Sequence, residues 1–166
     1  MHVRQEAPAD IPRIHALNRA AFESATEAVL VDALRAQADV ISLVAAEADG
    51  IVGHIMFSPV RLGGAEDVRA MGLAPMAVVL ERQRAGIGSA LVRDGLESCR
   101  RQGVDAVFVV GHPAYYPRFG FSPASSFGIT CEFEVPDEAF MALELAPGAL
   151  RGRSGQVFFH EAFRAF

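Results

Sequence analysis

The sequence predicts an α/β (α+β) fold, from a strand, helix and strand unit in its middle and a hairpin before it. Apolar runs at Ala70–Val79 and Ala106–Val110 flank an amphipathic stretch from about Gly88 to Gln102, and their lengths are those of two strands and a helix. A helical crossover joins strands that are parallel and near neighbours. The turn Ala48-Asp49-Gly50 separates two further apolar runs, which favours an antiparallel hairpin.

The segments before the hairpin predict a short strand and two amphipathic helices. After an extended start at His2–Arg4, Asp10 is a candidate N-cap and Pro12 suits the first turn of a helix that runs to Phe22. Apolar residues at helical spacing then predict a second helix over Thr26–Gln37.

The hairpin and the tail supply the remaining strands. The hairpin strands are predicted at Ile41–Glu47 and Ile51–Val60, and the chain is expected to become irregular from Ser122. The predicted late elements are a strand at Ile129–Val135, a short helical turn from Pro136 to Phe140, and strands at Met141–Leu145 and Gln156–His160.

Length and composition predict one globular domain over residues 1–166. The 166 residues are 51% hydrophobic and 21% charged, which suits a packed core, and we find no linker or repeat. No apolar run approaches the ~20 residues that span a membrane, and the start does not resemble a signal peptide. We therefore expect a cytoplasmic protein without a membrane partner. The net charge of −5 argues against a general grip on nucleic acid.

The cysteines and histidines do not predict a metal site. Cys99 and Cys131 are far apart and lack companions at metal-ligand spacing, so we expect buried free thiols. The five histidines are scattered along the chain, which also disfavours zinc.

The turn between the central strand and its helix predicts an anion site. It contains the pattern Gln83-x-x-Gly86-x-Gly88, with Arg84 adding positive charge. A glycine-rich helix start offers backbone N–H groups without partners and the positive end of the helix dipole. The turn lacks the lysine of a Walker loop and the third glycine of the dinucleotide fingerprint, so a nucleotide-binding domain is disfavoured.

A second cluster follows the strand at Ala106–Val110. The run from Gly111 to Phe121 contains Tyr115, Tyr116 and an aromatic-glycine-aromatic exit. Phe119 and Phe121 suit a buried aromatic core. A phenol at the carboxyl end of a strand, where ligands of α/β units collect, can instead serve as an acid.

Together these motifs resemble the GNAT superfamily of N-acetyltransferases. The pattern from Gln83 to Gly88 is similar to the acyl-CoA pyrophosphate loop of that family, and Tyr116-x-x-x-Gly120-Phe121 is similar to its tyrosine motif. The run after Val110 resembles the YhbS-like branch, and the likeness extends from Val3 to Phe163. It implies a central mixed, mostly antiparallel sheet with flanking helices, a parallel βαβ core and a V-shaped opening between the two central strands.

The resemblance also implies a role for each matching residue. The co-substrate would be acetyl-CoA, without a metal, and the acceptor a small-molecule amine or a protein or peptide amine. Tyr116 would be the general acid, and the amide near Val78 would polarise the thioester carbonyl. The backbone groups that would bind the pantetheine arm belong to Met76, Ala77 and Val78. The residues that would wrap the pyrophosphate are Arg84, Ala85, Gly86, Ile87, Gly88 and Ser89.

The sequence lacks the general base that some relatives in this family carry. Relatives that use a glutamate base carry it on the two central strands, but Leu73–Leu80 and Ala106–Val110 contain no carboxylate. His54, Glu47 and His112 are candidates, and water or an amine that arrives neutral would also serve. The gap leaves open a non-catalytic acyl-CoA-binding sensor or interaction module. The acidic charge mildly favours a cationic amine, and a homodimer is left open.

Overall fold

The computed structural model describes residues 1–165, so that Phe166, the last residue of the predicted domain, lies outside the described residues. The helices are α1 (Ile11–Phe22), α2 (Thr26–Arg35) and α3 (Ile87–Arg101). The strands are β1 (His2–Gln5), β2 (Ile41–Glu47), β3 (Gly50–Leu62), β4 (Ala70–Val78), β5 (Ala106–Val110), β6 (Ser122–Pro123), β7 (Ile129–Cys131), β8 (Phe140–Glu144) and β9 (Gly155–Phe158).

The chain divides into two compact units. The first comprises Met1–Ser58, Ala74–Ser98 and the residues from Glu161, and the second comprises Pro59–Leu73 and Cys99–His160. β3 and β4 each pass from one unit into the other. Among residues 1–165, every helix is too short or too polar to span a membrane.

In the first unit, β1, β2 and β3 form an antiparallel ladder. Val3 lies opposite Ala45, and Val44 lies opposite His54. This confirms the predicted hairpin, whose turn reverses the chain between β2 and β3. Each of the first two helices buries its apolar face, α1 through Ile14 and Leu17, and α2 through Ala28, Leu30, Val31 and Leu34.

Glycines bring α3 close to β3 within the first unit. A Cβ at Gly95 would overlap the ring of Phe57, and a Cβ at Gly53 would lie 3.0 Å from both Ile87 Cγ2 and Leu91 Cδ1. Glycine inside a helix costs roughly 0.5–1 kcal/mol relative to alanine, and here it permits the close approach. The start of α3, which carries the predicted anion turn, is thereby packed onto β3.

In the second unit, β5 lies between a parallel and an antiparallel neighbour. Ala70, Met71 and Gly72 of β4 pair in parallel with Ala106, Val107 and Phe108. The other side of β5 pairs antiparallel with β8, and β8 then pairs antiparallel with β6. The parallel unit confirms the predicted crossover. Within residues 1–165 the pairs recorded between β4 and β5 end at Gly72 and Phe108, as expected of strands that separate.

A second ladder and an aromatic core complete this unit. β9 pairs in parallel with β7 and antiparallel with the end of β3, so the sheet is mixed as predicted. The rings of Phe108 and Phe140 stack with their centroids 5.8 Å apart. Both rings are buried with Leu62, Ile129 and Val157.

Asp10 stands at the N-cap position of α1 as predicted, but its side chain does not cap the helix. Its carboxylate accepts no hydrogen bond from α1. It accepts the N–H of Ala7 at 2.7 Å and forms an ion pair with Arg4 at 2.7 Å. The reason is a 3-10 turn at Pro8–Asp10, which precedes α1 and directs Asp10 back toward the first strand.

The strand predicted at Ile129–Val135 is too long. β7 ends at Cys131, opposite Val157 of β9. The N–H of Glu132 still donates to the carbonyl of Val157 at 3.2 Å, and its carboxylate accepts the N–H of Phe159 at 2.6 Å. The segment from Ser122 is also more regular than expected, since β6 and a 3-10 helix at Ala124–Phe127 form there. The other late elements agree with the prediction to within one or two residues.

Candidate functional site

The turn that leads into α3 has an unusual backbone. Arg84 and Gly86 both adopt left-handed conformations, with φ of 63° and 85°. Such a conformation is uncommon for a residue other than glycine and clusters at functional sites. Residues in this conformation, placed next to right-handed ones, turn successive N–H groups toward one side and form a concavity for an anion.

The first turn of α3 supplies further N–H groups. The first helical hydrogen bond runs from Ala90 N–H to the carbonyl of Gly86 at 3.0 Å. Ile87 and Gly88 precede that donor, so their N–H groups have no acceptor inside the helix. The side chain of Ile87 is buried at 2% exposure, which leaves its backbone as the part that can face a ligand.

The residues around the turn are accessible and carry charges of both signs, since Glu81 is also exposed. Arg84 and Ala85 are exposed, and Arg82 forms an ion pair with Glu47 on β2. Gln83 donates from Nε2 to the carbonyl of Val78 at 3.1 Å. This bond ties the glutamine of the motif to the end of β4 and was not foreseen from the sequence.

The backbone groups at the end of β4 point alternately toward β3 and away from it. The N–H of Val79 donates to Val52 of β3 at 2.9 Å. Because backbone groups alternate along a strand, those of Met76 and Val78 point away from β3, whereas those of Ala77 point toward it. Met76 and Val78 are half-buried, and Ala77 is 4% exposed.

Tyr116 belongs to the second unit, whereas the predicted turn and strand residues belong to the first. It starts a 3-10 helix at Tyr116–Phe119 and is 7% exposed. Its ring meets those of Tyr115 and Phe121 edge to face, with centroids 5.0 and 5.7 Å away. Burial, and secondarily Tyr115, raise the pKa of Tyr116 to about 12. The phenol is therefore protonated throughout the neutral range.

Gly111 determines how closely Tyr116 approaches the end of β5. A Cβ at residue 111 would overlap Cε2 of the Tyr116 ring. Tyr115 is directed differently, since its ring lies 4.5 Å below the guanidinium of Arg118. Val110, the last residue of β5, is a large apolar side chain with 43% exposure.

The three candidate bases differ in environment. His54 is fully buried, and Glu47 is ion-paired with Arg82. Burial, as the largest cause, lowers the pKa of His54 to about 4. His112 is exposed, and its carbonyl accepts the N–H of Tyr115 at 3.0 Å.

His54 belongs to a buried hydrogen-bonded chain whose other members were not foreseen from the sequence. Its Nε2 lies 2.8 Å from Ser42 Oγ, and its Nδ1 lies 3.3 Å from Asn18 Nδ2. Ser42 donates to Glu6, and Glu6 accepts from Arg35 Nε at 2.6 Å. Asn18 can only donate through Nδ2, so His54 carries its proton on Nε2. The signal available in the sequence is that Ser42, His54 and Asn18 are polar residues within otherwise apolar strand and helix segments.

The described residues contain free thiols and no metal-binding cluster. Cys99 and Cys131 are both unbridged; Cys99 is buried as expected, whereas Cys131 is only half-buried. Burial raises the pKa of Cys99 to about 12. Within residues 1–165, no three His, Cys, Asp or Glu side chains are grouped as a metal site would require.

Comparison with known proteins identifies the family. The family described as Acetyltransferase (GNAT) domain matches residues 2–124. The chain belongs to the GNAT superfamily. It is 40% identical over 168 residues, covering 100% of both chains, to YhbS of Escherichia coli (strain K12), described as an uncharacterized N-acetyltransferase. The family and this relative confirm the resemblance in the sequence.

Solved structures of other GNAT proteins share the fold. That of YhbS from Escherichia coli in complex with CoA has a TM-score of 0.94 and 40% identity, covering 99% of this chain and 92% of that one. That of a GNAT acetyltransferase from Brucella melitensis in complex with acetyl-CoA has a TM-score of 0.80 and 37% identity, covering 98% and 97%. The predicted GNAT fold is thus confirmed.

Proposed function

We propose that residues 1–166 act as one acyl-CoA-dependent N-acyltransferase domain that transfers the acetyl group of acetyl-CoA to a primary amine by direct attack. The observation that carries the proposal is the turn before α3. Its left-handed residues, Arg84 and Gly86, precede two N–H groups without helical acceptors. The CoA and acetyl-CoA bound by the relatives from Escherichia coli and Brucella melitensis support the same donor here.

The turn would bind the diphosphate of the donor. The backbone from Arg84 to Ser89 supplies N–H donors, and the guanidinium of Arg84 adds charge at the positive end of the helix dipole. Ala85 and Gly88 contribute through their main chain, as does Ile87, whose side chain is buried. A diphosphate held there directs the pantetheine arm back along β4.

β4 would then hold the pantetheine arm through its backbone. Met76 and Val78 carry the groups that alternate away from β3, so they are the hydrogen-bonding partners in this proposal. Ala77 supports the strand from within the core. The N–H of Val78 would donate to the thioester carbonyl and stabilise the oxyanion that forms there.

Tyr116 would complete the transfer as a general acid. The neutral amine nitrogen attacks the thioester carbon, the C–S bond breaks in the collapse of the tetrahedral intermediate, and Tyr116 donates its proton to the sulfur. The amine nitrogen loses one proton, which restores the phenol through solvent. Because the phenol has a pKa of about 12, above the ~8.5 typical of a thiol, it acts first as a hydrogen-bond donor to the developing thiolate.

The base in this scheme would be water or the exposed His112. His54 is unsuited because it is enclosed, and Glu47 because it pairs with Arg82. The amine must reach the thioester in its neutral form, since an ammonium ion has no free electron pair.

The alternative is an acyl-CoA-binding sensor that does not turn over. It is favoured by one observation, that β4 and β5 carry no carboxylate. Release of free thiol from acetyl-CoA, measured with a panel of primary amines, separates the two functions. An acetyltransferase releases thiol in proportion to acetylated amine. Tight acetyl-CoA binding with no amine-dependent thiol release would support the sensor instead.

A further inference from the structure

The second unit contains a cavity that is widely open to solvent and large enough for a small molecule. Its volume is about 580 Å³, within the ~300–1,000 Å³ typical of ligand sites. Apolar walls come from Ile129, Val135 and Phe140, and the charged groups in its lining are the carboxylates of Glu134 and Asp137. The GNAT motifs described above do not include any of these residues.

The cavity lies beside the carboxyl end of β5, since Phe140 in its lining pairs with Val110, the last residue of that strand. Asp137 opens the 3-10 helix that ends at Ala139. The carbonyl of Ala139 accepts the N–H of Gly111 at 2.9 Å, and Gly111 is the residue against which the Tyr116 ring packs. One backbone hydrogen bond, followed by the packing of the Tyr116 ring against Gly111, thus links the segment beside the cavity to the proposed acid.

The charges of the lining are negative. No lysine, arginine or histidine lines the cavity. Asp137 accepts a hydrogen bond from Ser125 Oγ at 3.0 Å, a neutral partner that leaves its charge uncompensated. Both Glu134 and Asp137 are exposed, so a cation can reach them.

We propose that this cavity binds a positive charge on the acceptor that is separate from the nitrogen to be acetylated. The acceptor would therefore be a diamine or a longer polyamine. A carboxylate beside an amine favours its protonated form, which cannot attack a thioester. The group held by Glu134 and Asp137 is thus a second ammonium, and the methylenes between the two nitrogens lie on the apolar walls.

This inference rests on the proposed function, and direct binding tests it separately. The full chain, saturated with CoA so that no turnover occurs, is titrated by calorimetry with 1,6-diaminohexane, hexylamine and 6-aminohexanoate at fixed ionic strength. We expect the diamine to bind about tenfold more tightly than hexylamine, and 6-aminohexanoate most weakly. Equal affinities for the three probes would overturn the inference.

Matched variants locate the charge. Glu134→Gln and Asp137→Asn should each weaken diaminohexane binding about threefold, and together about tenfold, since exposed ion pairs are individually modest. Hexylamine binding should weaken by no more than the same factors, because its single ammonium can also enter the cavity. Glu138→Gln is the control, because Glu138 is exposed on the same 3-10 helix but does not line the cavity. A control that weakens binding as much as the double variant would refute the assignment.

Turnover separates this inference from the proposed function. Thiol release with both amines, but without preference for the diamine and without an effect of the double variant, would refute the cavity's role and leave the transferase intact. Selective diamine binding lost in the double variant, with no thiol release for any amine, would support the cavity and overturn the transferase.

Discussion

The ring of Tyr116 occupies the space in which a side chain at Gly111 would have to lie. Within residues 1–165 the structure shows no hydrogen bond to the hydroxyl of Tyr116. The phenol is therefore positioned by packing of its ring, against the backbone of Gly111 and the edge of Phe121. This arrangement leaves the hydroxyl available to a ligand.

Replacement of Gly111 by alanine should displace Tyr116 and lower turnover. The added methyl overlaps the ring, so the phenol must move, and a displacement of about 1 Å can cost ~100-fold in rate. We expect kcat with acetyl-CoA and an amine to fall by 10-fold to 100-fold, with acetyl-CoA affinity changed less than threefold. Steady-state kinetics and calorimetry measure the two quantities.

A double variant tests whether Gly111 acts through Tyr116. If it does, Gly111→Ala combined with Tyr116→Phe should be no slower than Tyr116→Phe alone, because effects on one shared group are not additive. Additive losses would show that Gly111 serves the reaction by another route.

Replacement of Tyr116 by phenylalanine should slow chemistry without weakening donor binding. Phenylalanine keeps the ring contacts and removes only the proton donor, and a general acid contributes about 10²–10⁴-fold. We expect kcat to fall about 100-fold and acetyl-CoA affinity to stay within twofold. Because the pKa of Tyr116 is about 12, the ratio of wild-type to variant rate should be constant from pH 6 to pH 10.

Tyr115→Phe is the matched control for this variant, since its phenol is adjacent but directed toward Arg118. It should retain at least a third of the wild-type rate. Full activity of the Tyr116 variant would remove the phenol from the mechanism.

Replacement of Gly86 by alanine should weaken binding of CoA about tenfold. Gly86 has a φ of 85°, and a left-handed alanine costs ~1–2 kcal/mol, so the turn that presents the N–H groups should relax to another shape. Gly152→Ala is the control, because Gly152 also has a positive φ and, like Gly86, no atom within 4 Å of an added Cβ. Both variants should lose similar thermal stability, but only Gly86→Ala should change the calorimetric affinity for CoA. Equal affinities would contradict the assignment of the turn.

Local patterns were sufficient to predict the elements around the turn. The apolar run of β4, the glycines and the amphipathic period of α3 are all contained within a short window, and the parallel pairing of β4 with β5 follows from the helical crossover between them. The GNAT fold could be predicted because each of its two motifs is a continuous stretch of sequence.

Interactions between distant residues could not be predicted in the same way. The chain from Glu6 through Ser42 to His54 joins residues far apart in the sequence. The bond from Gln83 to Val78 and the overlap of Gly111 with Tyr116 join residues only five positions apart, but they depend on the conformation of the turns between them. The end of β7 was also misjudged: the strand pairs with β9 only over Ile129–Cys131, and beyond it the carboxylate of Glu132 accepts a hydrogen bond from Phe159. Apolar alternation alone contains no information about that contact.

The buried chain around His54 predicts a loss of stability in mild acid. Burial lowers the folded-state pKa of His54 from 6.5 to about 4, so the unfolded chain binds a proton at higher pH than the folded chain does. Stability from this residue is therefore complete above pH 6.5 and is lost as the pH falls toward 4. The neighbouring charges are Glu6, with its Oε1 4.0 Å from Nε2, and Arg35. Their opposing effects are smaller than that of burial.

Between pH 7.5 and pH 5, His54 should account for a loss of about 2 kcal/mol in the free energy of unfolding. Urea denaturation at the two pH values measures it, as the difference between wild type and His54→Gln. Glutamine keeps a donor for Ser42 and an acceptor for Asn18 but does not titrate, so this variant should be less pH-dependent by that amount. His2→Gln, at an exposed position, should retain the wild-type pH dependence. If His54→Gln and wild type lost stability in parallel, His54 would have to be protonated in the folded protein at pH 5, and the buried neutral imidazole would be the wrong description of this chain.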